Sequence, residues 1–115
     1  MKTIASVQVR MGSSRLPGKV MRSVRSRPLL GHLLDRLRLS KTIDGIIIAT
    51  SIAAENDVIE EFCRKEGVAC FRGSERDVLD RTLQSLRSMA ATVGVEVFGD
   101  GPLIDPQVID QVVDY

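Results

Sequence analysis

The sequence predicts a three-layer α/β domain with a mostly parallel sheet, and two observations carry that prediction. Short β-branched apolar runs at residues 3–9, 45–50, 68–71 and 95–98 alternate with longer segments whose apolar residues recur at helical spacing. This is the order expected when helices fill the crossovers between parallel strands. The run Ile46-Ile47-Ile48 is also continuous rather than alternating, as in a strand covered on both faces.

The elements follow in order. Residues 3–9 read as a buried strand. Leu29, Leu30, Leu33, Leu34 and Leu37 share one face of a helix over 28–39, with Pro28 in the first turn, where a missing N–H does no harm. Residues 45–50 read as a central strand. Asn56 or Asp57 can cap a helix that runs to Glu66 and stops at Gly67, and 68–71 then gives a short third strand. Ser74-Glu-Arg-Asp77 opens a helix with Val78, Leu79, Leu83 and Leu86 on its apolar side, which yields near Gly94 to a fourth strand at 95–98. Asp105-Pro106 is read as the start of a last helix, with Val108, Ile109, Val112 and Val113 on its apolar side.

At 115 residues the chain, residues 1–115, fits one domain, burying roughly two thirds of the surface its unfolded form exposes. Charged residues make up 27% and apolar ones 43%, and 16 basic against 15 acidic residues leave a formal charge of +1. That balance gives no general affinity for nucleic acid, and 3% aromatics with no Trp leave few stacking platforms for single strands. Cys63 and Cys70 lie seven apart with His32 as the lone histidine, which disfavours zinc and suggests reduced packing thiols. His32 is expected on a helix surface. The apolar run near the N-terminus is cut short by Arg10, so neither a signal peptide nor a membrane span is expected, and a cytoplasmic protein is the default.

The richest stretch is Arg10-Met-Gly-Ser-Ser-Arg-Leu-Pro-Gly-Lys19, directly after the first strand, with three cations, two hydroxyls and two glycines. Glycines let backbone N–H groups approach an anion, Ser13 and Ser14 add donors, and Arg10, Arg15 and Lys19 match the charge of phosphate. In an open doubly wound sheet, ligands bind beyond the carboxyl ends of the strands, where strands one and four are neighbours. Those two ends carry Arg10 and Asp100, so a polyphosphate loop and a carboxylate are expected across one crevice, the makings of a magnesium–nucleotide site. A P-loop is excluded because Gly12 and Gly18 enclose five residues and Val20 stands where Ser or Thr is needed; no G-x-G-x-x-G follows the first strand either.

Arg10-x-x-Ser13-x-Arg15-x-Pro17-x-Lys19, with Phe71-Arg-Gly-Ser-Glu-Arg-Asp-Val-Leu-Asp-Arg81, Gly99-Asp-Gly-Pro-Leu-Ile-Asp-Pro106 and Ala49-Thr-Ser51, resembles the cytidylyltransferases that make CMP-activated acidic sugars. The branch of spore coat polysaccharide biosynthesis protein F is the closest match. The resemblance implies a Rossmann-like nucleotide-diphospho-sugar transferase fold and a reaction of CTP with a sugar or sugar acid to give CMP-sugar and pyrophosphate, assisted by Mg²⁺, with a homodimer as a further expectation. Carried over by position, Arg10, Met11, Gly12, Ser13, Arg15 and Lys19 would bind the nucleotide. Arg72 and Gly73 would lie near its base or ribose, and Asp100 would hold the metal. Arg10, Lys19 and Asp100 would carry catalysis. Asp77, Asp80 and Arg81 are read either as lining the crevice or as a helix cap and a solvated helix face. Family members are considerably longer, so the chain is expected to be the N-terminal, C-terminally truncated part of the family's domain. A non-catalytic nucleotide-binding or oligomerisation module, or a transferase using another nucleotide, are alternatives the residues leave open.

Two residues depart from the resemblance. Glu96 stands where the close branch has a basic residue, and Phe98 where it has a small polar one. By alternation both share a sheet face, so Glu96 is expected to be costly to bury unless an arginine reaches it.

Overall fold

A computed structural model describes residues 2–12, 18–99 and, as backbone, 110–112. Strand β1 (Thr3–Gln8) sits at the middle of the sheet. A two-residue hairpin, β2 (Ser23–Val24) and β3 (Arg27–Pro28), leads into helix α1 (Leu29–Arg38), followed by β4 (Gly45–Ser51), α2 (Asp57–Glu66), β5 (Ala69–Gly73), α3 (Val78–Ser88), β6 (Val93–Phe98) and β7 (Asp110–Val112). The sheet order is β5-β4-β1-β6-β7. The first four strands are parallel, and β7 alone runs antiparallel, against β6. The predicted order of the four parallel strands is therefore the observed one, with β1 and β6 side by side at the point where the strand order reverses.

Register assigns the residues to two faces. On one, Ala5, Val7 and Val9 join Ile48, Val95 and Val97 against Leu30, Leu33, Leu34 and Leu37 of α1 and Ile59, Phe62 and Cys63 of α2. On the other, Ile4 and Ile47 meet Leu86 of α3. Helices on both faces explain why Ile46–Ile48 show no alternation. Asp77 caps α3 by accepting a hydrogen bond from the Asp80 amide, and Gly67, in the left-handed region, stops α2. Cys63 and Cys70 are both free thiols; hydrogen bonding with Cys70 and burial push Cys63 up from the ordinary thiol range.

One expectation is corrected, and one element was not foreseen. The helix read from Asp105 is not continuous, because residues 110–112 are strand β7. Pairing with β6 satisfies backbone groups along that strand's free edge and outweighs the helical spacing of the apolar side chains. The hairpin was not foreseen, since its turn residues Arg25 (φ 53°) and Ser26 (φ 66°) are both left-handed without the Asn or Gly that normally signals such a turn. His32 lies on the surface of α1 as expected, where its Nε2 is 2.6 Å from the Val24 carbonyl and ties α1 to that hairpin.

Candidate functional site

The loop after β1 is closed at its base. The Gly18 amide donates to the Met11 carbonyl (2.7 Å), joining the two described flanks of that loop. Gly18 has φ 78° and ψ 5°, a conformation that a side chain would strain. A single 3-10 turn follows, Lys19–Met21, pinned by buried Val20, so Lys19 is fixed one residue past the closure. On the other side of the closure the Met11 amide donates to Asn56 Oδ1 (2.8 Å), while Asn56 Nδ2 donates to Ser51 Oγ (2.7 Å). Asn56 thus occupies the cap position of α2, yet its side chain makes no cap bond; it braces the loop instead. Beside it Glu55 lies against Gly12, its carboxylate 2.9 Å from where a Cβ would stand.

The far side of the crevice is set by β6. The Gly99 amide donates to the Gln8 carbonyl (2.9 Å), and a Cβ on Gly99 would overlap the Val9 side chain. Only glycine permits this approach, which brings the chain to within one residue of Asp100 at the very point where Arg10 leaves β1. Asp100, Ser13, Ser14 and Arg15 lie outside the described residues. Arg10 is exposed and Met11, Gly18 and Lys19 are half-buried.

Arg72 has its guanidinium committed. Nε donates to the Ser51 carbonyl (3.0 Å), Nη2 to the Ala53 carbonyl (2.8 Å), and Nη1 to Asp57 (2.7 Å) and Glu60 (3.2 Å). The bond to Asp57 is the main reason its pKa is raised. It clamps the ends of β4 and β5 to the start of α2. Gly73, next to it, leaves room for the Phe71 ring, whose Cε2 would be 2.7 Å from a Cβ there.

The α3 face holds what the sequence did not reveal. Arg81 is 2% exposed, so it is not a solvated helix residue. Its Nε donates to Gln8 Oε1 (2.9 Å) and Nη1 to the Ser74 carbonyl (2.9 Å). Gln8 Nε2 donates to Ser6 Oγ (3.0 Å), Ser6 Oγ lies 2.6 Å from Ser85 Oγ, and Ser85 Oγ donates to the Thr82 carbonyl (2.7 Å). Each proton in that chain has one acceptor, so its direction is fixed: Ser6 donates to Ser85, and the Gln8 amide has one orientation. Glu96 is half-buried, and no arginine pairs with it among the described residues; Thr82 Oγ1 stands 2.8 Å from its Oε2 and 2.9 Å from the Val78 carbonyl. One hydroxyl proton serves either acceptor. Period-two alternation would have placed Ser6 and Gln8 on the α3 face, but only packing shows that Arg81 meets them.

Among the described residues no group of three or more His, Cys, Asp or Glu could hold a metal ion, and no helix is long and apolar enough to cross a membrane. A cavity of about 490 Å³ lies at the opposite, amino end of β4 and β5, lined by Leu37, Ile43, Gly45, Val68 and Met89 among others, away from the loop.

Parallel strands with helices on both faces, and a chain that reverses strand order between β1 and β6, define a doubly wound α/β protein. The family model for cytidylyltransferases matches residues 4–115, and the chain belongs to that family. It is 41% identical over 111 residues to the spore coat polysaccharide biosynthesis protein SpsF of Bacillus subtilis, covering 93% of this chain and 46% of that protein. It is 30% identical over 120 residues to a 3-deoxy-manno-octulosonate cytidylyltransferase of Thermodesulfovibrio yellowstonii, covering 99% and 47%. Among solved structures, a cytidylyltransferase from Leptospira borgpetersenii superposes with a TM-score of 0.85 at 37% identity, over 93% of this chain and 45% of that one. The chain thus spans about half the length of the relatives it matches, and the fold is that of nucleotide-sugar transferases.

Proposed function

We propose that this chain is the nucleotide-binding half of a cytidylyltransferase that transfers CMP from CTP to a sugar or sugar-acid hydroxyl in surface polysaccharide biosynthesis, in the cytoplasm. The single observation that carries the reading is the Gly99–Gln8 hydrogen bond, which joins the β6 end preceding Asp100 to the β1 end from which the cationic loop springs. In the reaction the sugar oxygen forms a bond to the α-phosphorus as the bond to the bridging oxygen breaks, pyrophosphate leaves, and the hydroxyl proton is released. Arg10, Ser13, Arg15 and Lys19 would hold the triphosphate, and Lys19 would offset charge growing on the transferring phosphoryl group. Most of the rate enhancement then comes from positioning and fixed charge. The loop's closure at Met11 and Gly18 supports this, because donors held in place need no reorganisation as charge develops.

Asp100 with phosphate oxygens is a donor set of the hard, oxygen-only kind that suits Mg²⁺, which when bound would neutralise phosphate charge. Calorimetry tests the reading: with Mg²⁺ present, CTP is expected to bind in preference to UTP, GTP and ATP. Lys19→Ala is expected to weaken CTP about tenfold to a hundredfold, the loss of one charge-assisted hydrogen bond. Absence of heat and of a thermal shift at millimolar CTP, in a chain shown to be folded, overturns it.

A further inference from the structure

Arg81 is a buried cation whose described partners are all neutral. Its two hydrogen bonds end on an amide oxygen and a backbone carbonyl, and no carboxylate lies within ion-pair distance of it among the described residues. Burial, and next the charge of Arg10, lower its pKa, with Glu75 and Glu96 acting more weakly in the opposite sense. A charge removed from water beside a like charge is costly unless an opposite charge arrives. Folds retain such groups where a ligand supplies that charge.

Its position supplies the second half of the argument. Gln8 is the last residue of β1, two before Arg10, and Ser74 follows Gly73 at the end of β5. One guanidinium therefore bridges the strand end that launches the loop and the turn that leads into α3. The buried relay from Arg81 through Gln8 and Ser6 to Ser85 holds that bridge rigid from below.

Resting on the nucleotide reading of the site, we propose that Arg81 is a positioning residue for anion binding: its buried charge deepens the positive potential in which Arg10 and the loop receive an oxyanion, and its two hydrogen bonds lock the ends of β1 and β5 into one rim. It acts through Arg10 and the rim without itself touching the ligand. A charge in a low-dielectric wall acts over a longer range than one in water, so the effect does not need direct contact.

The test titrates the chain with inorganic tripolyphosphate and, separately, with CTP, each at low and at high ionic strength. Arg81→Gln removes the charge. Gln8→Glu keeps the shape and gives Arg81 an internal counter-ion, so it decides the matter should Arg81→Gln fail to fold. Both are expected to weaken tripolyphosphate and CTP at least about tenfold at low salt and by less at high salt. Arg81→Lys, which retains the charge and loses the fork, is expected to stay within a few-fold of the parent. Unchanged affinity for both ligands in folded Arg81→Gln or Gln8→Glu overturns the proposal and leaves the nucleotide reading standing. Tripolyphosphate binding that depends on Arg81, with CTP bound no better than tripolyphosphate, supports the proposal and overturns the nucleotide reading.

Discussion

The two faces of the sheet are built from different materials. Against α1 and α2 the β1 residues are Ala5, Val7 and Val9, and the partners are leucine, isoleucine and phenylalanine. Against α3 the β1 residues are Ile4, Ser6 and Gln8, and beyond the apolar patch at Ile4, Ile47 and Leu86 the interface is a directed chain of hydrogen bonds ending on Arg81. Burial of apolar area drives folding in proportion to the area removed from water. A satisfied buried polar network adds little net stability but fixes geometry. The first face therefore holds the domain together, and the second fixes how the strand ends meet.

The largest expected effect comes from breaking the apolar face. Leu34 is fully buried in α1, and Leu34→Ala should cost about 2–5 kcal/mol of stability, measured by urea unfolding. Nucleotide affinity per folded molecule should stay as in the parent; a parallel loss of affinity would show that the two faces are not separable.

A smaller effect lies at the brace between them. Asn56→Ala leaves the Met11 amide without its acceptor and Ser51 Oγ with the Ala53 amide alone, at about 1–3 kcal/mol for the amide left unsatisfied. Both stability and CTP affinity should fall, since the same side chain ties the end of β4 to the loop. Calorimetry and unfolding on the same variant check this, and a loss confined to stability would detach Asn56 from the site.

The smallest effect concerns Glu55, whose carboxylate rests against Gly12 beside the loop proposed to hold phosphate. Glu55→Gln should tighten tripolyphosphate about two- to fivefold at low ionic strength, and the gain should fade as salt screens the exposed charge. Titrations at two salt concentrations check it; equal affinity in both proteins would mean that the carboxylate swings clear when the anion binds.

Local signals made most of the fold legible. Leucine spacing, the three-isoleucine run, Asp77 before α3 and Gly67 after α2 each state a local preference that the fold obeys, because nothing in the tertiary structure opposes it. Residues 110–112 obeyed a neighbour instead: the apolar side chains suit a helix, but the edge of β6 offers backbone partners. The hairpin at Arg25 and Ser26 escaped because its turn is held by surrounding structure rather than by residues that favour it.

The candidate site divides along the same line. Residue types and their place after a strand singled out Arg10, Gly12 and Lys19, and alternation could have put Ser6 and Gln8 on one face, all of which depends on chemistry and period within a few residues. That Asn56 braces the loop, that Arg72 is spent on Ser51, Ala53, Asp57 and Glu60, and that Arg81 is buried against Gln8 depends on contacts between residues 12 to 73 positions apart. A helical residue four places past a cap has the same local surroundings whether it faces water or a strand end. Only packing α3 onto the sheet decides which, and that packing is also what turns an arginine into a buried charge.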